Sequence, residues 1–192
     1  ALRKLLSDKD ERTQSFAALS LGNLGAEKAF PDLLKFATGI RRDQTYLRHG
    51  AIVALANCGT SAQLAELSKH DSAALRQAAV IALRRQGAPE VAFFLDDPEE
   101  YIATDAARAI HDDDSIVPAL PQLAASLTTT KFRGEAFIRR AVNANFRLGD
   151  PASASRLADY AAAKGHELAL RLDALDALTD WAAPKEVDRI EG

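Results

Sequence analysis

The densest run of chemistry-bearing side chains is HDDD, residues 111–114. Three carboxylates beside an imidazole could ligate a hard divalent cation, which takes several oxygen ligands. Consecutive loop residues point in different directions, however, and no calcium-loop spacing with a central glycine is present. The run therefore reads as a solvated loop with capping aspartates. The other histidines, His49, His70 and His166, lack metal-ligand spacing. Cys58 is the one cysteine, so no internal disulfide can form, and without an activating neighbour in sequence it reads as a small buried hydrophobe. No serine or cysteine stands near a histidine and a carboxylate in a recognisable pattern, and no glycine-rich phosphate loop follows a strand. Triad partners can come from distant segments, so catalysis across repeats stays open, but no catalytic residue, metal or cofactor is expected.

The side chains that could bind something become visible only once the chain is cut into its repeats. Residues 71–87, DSAALRQAAVIALRRQG, give the pattern: an aspartate, a helix with one apolar stripe, and a glycine to stop it. Aligning Leu21, Leu55, Leu83, Ile110, Asn145 and Leu178 in one column gives intervals of 34, 28, 27, 35 and 33 residues, the range of helical repeat arrays. Four positions before the column stands an alanine each time: Ala17, Ala51, Ala79, Ala106, Ala141 and Ala174. One before it are Ser20 and then five alanines, and eight before it a large residue opens the stripe in most repeats, as Leu47, Ile102 and Phe137 do. These offsets share one side of a 3.6-residue helix, so small residues let a neighbouring helix approach closely.

Four positions after the column, Gly25, Gly59, Gly87 and Gly149 are placed to end helices in the left-handed conformation, with Asp114 and Ala182 in the same place in the other two repeats. Asp10, Asp43, Asp71 and Asp97, the last followed by Pro98, mark helix starts. Inner helices are predicted over 10–24, 46–57, 73–86, 98–111, 134–148 and 167–181. Outer ones are predicted over 27–37, 61–68, 89–95, 117–127 and 151–163, with Pro31 and Pro121 tolerated in first turns. Residues 184–190, PKEVDRI, either start another outer helix or lead onward, and the basic pair Arg41 and Arg42 is read as a solvated turn.

Arg48, Arg76 and Arg171, seven before the column, complete a pattern of aspartate, arginine and small-residue stripe that resembles HEAT repeats along nearly the whole chain. The resemblance implies an all-α, right-handed α-α superhelix (HEAT/ARM-like solenoid) of about six helix pairs, with residues 1–192 forming one repeat domain. Without any methionine and starting in mid-helix with ALRKLL, the chain is expected to be a segment excised from a larger protein. The departures are Gln14, Ala103 and Ile138 at the arginine position and Asn145 in the leucine column. The stretches 101–124 and 170–192 resemble, more narrowly, the repeat region of large planctomycete and verrucomicrobial proteins. In those a glucose/sorbosone dehydrogenase-like propeller precedes the repeats and a haem domain with a CxxCH motif follows. That resemblance implies export to the periplasm and a linking role.

Away from the alanine stripe, offsets of six and two before the column and one to two after it lie on the face expected to point outward. In repeats two to five they hold His49, Gln77, Arg84, Thr104, Arg108, His111, Arg139, Asn143, Phe146 and Arg147, together with Val53, Asn57 and Ile81; the sixth adds Leu172, Asp176 and Asp180. Arginine with an aromatic is what interface hot spots favour, so the row is the candidate protein-binding groove. The bland reading is that Arg84, Arg85 and Arg147 answer the helix macrodipole alone. A net charge of -3 argues against nucleic acid as partner. It and the single tryptophan also weigh against a HEAT-like DNA glycosylase, and the polarity of the row against a phycobilin lyase-like tetrapyrrole groove. No run of about 18 apolar residues is present to span a membrane. The expected partner is protein, either flanking domains or another chain, and the expected state a monomer. Trp181 is read as covering the end of the core.

Overall fold

A computed structural model describes residues 1–41, 43–112, 116–182 and 190. The expected positions Arg42, Asp113 and Asp114, and 184–189 of the PKEVDRI stretch, lie outside the described residues. The chain divides into two compact units, Ala1–Phe94 and Leu95–Gly192. The first contains α1 (Leu2–Leu5), α2 (Glu11–Asn23), α3 (Phe30–Thr38), α4 (Thr45–Cys58), α5 (Ser61–Glu66) and α6 (Ala73–Gln86). Short 3-10 turns, Glu27–Ala29 and Leu67–Lys69, extend α3 and α5, and a third, Pro89–Phe94, follows α6. The second unit contains α7 (Glu100–His111), a 3-10 turn Val117–Ala119, α8 (Leu120–Thr129), α9 (Glu135–Leu148), α10 (Pro151–Ala162) and α11 (Leu168–Thr179). The described residues hold helices and no strand, so the all-α class read from the repeats is the one observed.

In each unit the column helices pack side by side, α2 on α4 and α4 on α6, then α7 on α9 and α9 on α11. The outer helices pack across them, α3 on α4, α5 on α6, α8 on α9 and α10 on α11. The small-residue stripe explains the close approach. All six alanines of the invariant column are buried, as are the five alanines just before the leucine column. Leu47, Leu75, Ile102, Phe137 and Leu170, which open the stripe, are buried with them. Burying such a side chain contributes about 1.5–3 kcal/mol, so the stripe and the large residues that open it hold neighbouring helices together.

The helix ends partly depart from expectation. Gly25, Gly87 and Gly149 do adopt positive φ (57, 63 and 66°) and terminate α2, α6 and α9. Gly59 does not; its backbone is extended (φ -99°, ψ 147°), and glycine is needed there because a Cβ would run into the Phe30 ring. Of the four aspartates expected to start helices, Asp10 caps α2, accepting from Thr13 N–H and hydroxyl at 2.9 and 2.8 Å. Beside the other three the N-cap falls further along, at Gln44, Ser72 and Glu99, since each of those aspartates precedes the first helical residue by more than one position. Asp97 is buried and accepts from Glu99 N–H at 2.9 Å, and Pro98 stands ahead of α7 instead of inside it. Within the expected outer segment 89–95, residues Pro89–Phe94 form a 3-10 helix.

The degenerate leucine position is informative. Asn145 is fully buried, donating to Ala124 O at 2.9 Å and Ala141 O at 2.8 Å, while its Oδ1 accepts from Arg156 Nε at 2.7 Å. A buried amide in a leucine column is tolerated because each polar atom has a partner, and here those partners join α8, α9 and α10.

Candidate interaction surface

The contacts between successive column helices define two flanks. A Cβ on Gly22 of α2 would lie 2.9 Å from Ala54 Cα of α4, and Ser15 Oγ donates to Tyr46 O at 3.4 Å. In the second unit Asn143 of α9 meets His111 of α7, and Arg139 of α9 meets Asp173 of α11. Positions ten, six and three before the column and one after it thus face the next helix. Positions nine, five and two before it and two after face the previous one. Side chains left in water, whether between the flanks or at flank positions where the side chain stays uncovered, make up the exposed edges of the column helices.

This geometry corrects part of the candidate row. His111 (0% exposed) and Asn143 (2%) were expected on the outward face but are buried in the seam between α7 and α9, and Val53 is buried between α2 and α4. The cause is angular. Offsets of two before and one after the column point into the joint once a neighbouring helix is present on that side. Asn143 Nδ2 lies 2.7 Å from His111 Nε2, and an amide nitrogen can only donate, which assigns Nε2 as acceptor and leaves the ring proton on Nδ1. Nδ1 faces Asp112 Oδ1 at 2.9 Å. Arg140 closes the chain, reaching both Asp112 oxygens at 2.7 Å. Burial alone would raise the Asp112 carboxyl, but hydrogen bonds from Arg140 and His111 outweigh it and hold it below the ordinary value. The HDDD histidine and its first aspartate are thereby committed to joining two helices.

The arginines are also engaged. Arg139 donates to Asp173 at 2.9 Å and pairs with Glu135; the Asp173 hydrogen bond is the main cause of its raised pKa. Arg147 donates to the carbonyl of His111 at 2.9 Å, and Arg108 lies 3.4 Å from Asp105. Gln77 accepts from Arg48 at 3.0 Å. Phe146 packs edge to face on Trp181, centroids 6.0 Å apart, so both rings close the core beside α11. His49, Arg84, Arg108 and Arg147 are exposed, and Thr104, Gln77, Arg139 and Phe146 half-buried.

Two residues absent from the sequence-based set stand out as exposed aromatics, one in each unit. Tyr46 on α4 is 85% exposed and Tyr101 on α7 is 47% exposed. Both stand nine positions before the column. That coincidence was the available signal, and it was hidden because the same position is arginine or alanine elsewhere. Cys58 is buried with its thiol directed at Leu21 O, 3.4 Å away, and burial raises its pKa. Among the described residues no group of three or more histidine, cysteine or carboxylate side chains is gathered as a metal site, and no helix is long and apolar enough to cross a membrane.

Residues 13–38, one column helix and the outer helix after it, match the family model described as the PBS lyase HEAT-like repeat. Over those residues the chain is similar to a HEAT-like repeat. No curated protein matches the sequence. Among solved structures, an engineered protein is similar over 94% of this chain and 96% of its own at 19% identity, TM-score 0.48. A computationally designed armadillo repeat protein for modular peptide recognition aligns over 93% of this chain and 97% of its own at 17% identity, TM-score 0.49. Human deoxyhypusine hydroxylase, in complex with glycerol, aligns over 94% of this chain and 83% of its own at 17% identity, TM-score 0.32. At these identities and scores the likenesses add nothing about function.

Proposed function

We propose that this chain is a non-catalytic scaffold that binds protein along the exposed edges of its column helices. The observation that carries the reading is the pair Tyr46 and Tyr101, large aromatics held in water at one repeat position in two different helices. Core packing has no use for them there, and tyrosine and arginine dominate interface hot spots. Exposed Arg84, Arg108 and Arg147 favour a partner with acidic side chains, although all three are also engaged within the chain, which moderates that preference. Residues 1–192 acting as one repeat domain, with either flanking domains or a separate chain as partner, belong to the same proposal.

Selection of a displayed random-peptide library on the protein tests it. Enriched peptides should be acidic and should bind Tyr46→Ala or Arg108→Glu at least tenfold more weakly, while both variants melt as the wild type does. Enriched peptides indifferent to both substitutions would remove the reading. The narrower role, a link between an oxidising domain and a haem domain in an exported protein, rests on the stretches 101–124 and 170–192. A reading frame with a propeller pattern before them and a CxxCH after supports it; one without either removes it.

A further inference from the structure

The two units carry opposite net charge. Ala1–Phe94 contain 13 lysines and arginines against nine acidic residues, whereas Leu95–Gly192 contain 11 against 18. The contrast reaches the column helices themselves. In the first unit α4 and α6 hold no aspartate or glutamate, while α6 ends on Arg84 and Arg85, both exposed. In the second unit the column-helix arginines Arg108, Arg139 and Arg140 face carboxylates, Asp105 at 3.4 Å, Asp173 at 2.9 Å and Asp112 at 2.7 Å. An acidic ligand therefore meets attraction on α4 and α6, and competition from resident carboxylates on α7 and α9. The macrodipole explains cations in the last turn of α6, but it also favours acidic residues in first turns, and neither α4 nor α6 has one. Asp43 and Asp71 stand ahead of the two helices, and Asp43 is held by Arg41 at 3.2 Å.

The same two helices set the shape of the surface. Arg48 of α4 donates to Gln77 of α6 at 3.0 Å, which fixes their register. Arg85 stands on the flank of α6 that faces α4 yet stays exposed, and Tyr46 is 85% exposed in the first turn of α4. Tyr46 is nine positions before the column and Arg85 two after it, about 16 Å apart along the axes, with about 9 Å between packed helices. An extended segment of about six residues spans that diagonal.

We infer that an acidic, extended segment of a partner protein lies across α4 and α6 of the first unit, between Tyr46 and the Arg84–Arg85 pair. The inference rests on the edge-binding reading and adds to it the charge of the partner and the unit that receives it. Arg84 has a further contact within the chain, so the test falls on Arg85.

Fluorescein-labelled octa-glutamate, titrated by fluorescence polarisation onto the 192-residue chain, tests it. The peptide should bind at about 20 mM salt and weaken steeply by about 200 mM. Arg85→Glu should bind it at least about fivefold more weakly, while Arg108→Glu in the second unit and Lys35→Glu on an outer helix should change affinity less than about twofold. All three substitutions alter net charge equally, and Arg85 is exposed, so melting should be unchanged. Octa-glutamate that fails to bind the wild type, or binding weakened equally by Arg85→Glu and Arg108→Glu, would overturn the inference and leave the edge-binding reading to its own test with Tyr46→Ala. Octathymidylate that binds more tightly than octa-glutamate and loses affinity at Arg85 would assign the surface to nucleic acid and overturn the acidic segment.

Discussion

Asn143→Ala removes the donor that faces His111 Nε2 and leaves a fully buried ring nitrogen without that hydrogen bond. Stranding a buried polar group costs about 1–3 kcal/mol, and urea unfolding should show a loss of that size. Replacing exposed His49 by alanine should cost less than about 0.5 kcal/mol in the same assay. Asp112 adds a pH dependence. Its carboxyl lies below the ordinary value in the folded state because Arg140 and His111 bind it despite burial. Its contribution is therefore complete above the unfolded-state pKa, about 3.9, and is lost as pH falls through the lower folded value. The stability gap between wild type and Asp112→Asn should be widest near neutrality and shrink steadily below about pH 4; a gap independent of pH would contradict the network. The alanines of the invariant column were legible from sequence because their place on the apolar stripe follows from one helix's own period. The His111–Asn143 contact was not, since it spans 32 positions and depends on which flank a neighbouring helix occupies.

At the scale of the element, the glycines that end helices separate into two physical kinds. Gly87→Ala must place a side chain at φ 63°, and the expected cost is about 1 kcal/mol. Gly59→Ala meets no such backbone penalty but drives its methyl into the Phe30 ring, an overpacking loss of about 1–3 kcal/mol. Pairing Gly59→Ala with Phe30→Leu distinguishes the two, because a smaller side chain at residue 30 should recover much of the first loss and nothing at residue 87. An additive double variant would show that the clash is not the reason for glycine. Sequence placed both residues correctly at helix ends and could not separate them, since backbone conformation and close approach select the same amino acid. Boundaries of the column helices followed from the apolar stripe to within a residue or two, as with 73–86 against α6. The 3-10 segment Pro89–Phe94 escaped because Pro89 at its start and Pro98 beyond it limit length without fixing helix type.

For the whole molecule, the buried alanine stripe and the employed arginines lead to a division of labour. Seams between helices consume the polar chemistry that the sequence displayed, and the exposed edges keep two tyrosines and several cations. Cys58 follows the seam side of that division. Its thiol is buried against Leu21 O, so a water-soluble thiol reagent should label the folded protein at least a hundredfold more slowly than the urea-unfolded chain, and equal rates would contradict the packing. The edge side is the functional claim, and peptides selected on the wild type test it most directly when titrated by fluorescence polarisation against Tyr46→Ala, Arg108→Glu and the outer-helix control Lys35→Glu. The account predicts at least tenfold weaker binding by one or both edge variants and unchanged binding by the control. Equal affinity across all four proteins would place the binding surface elsewhere.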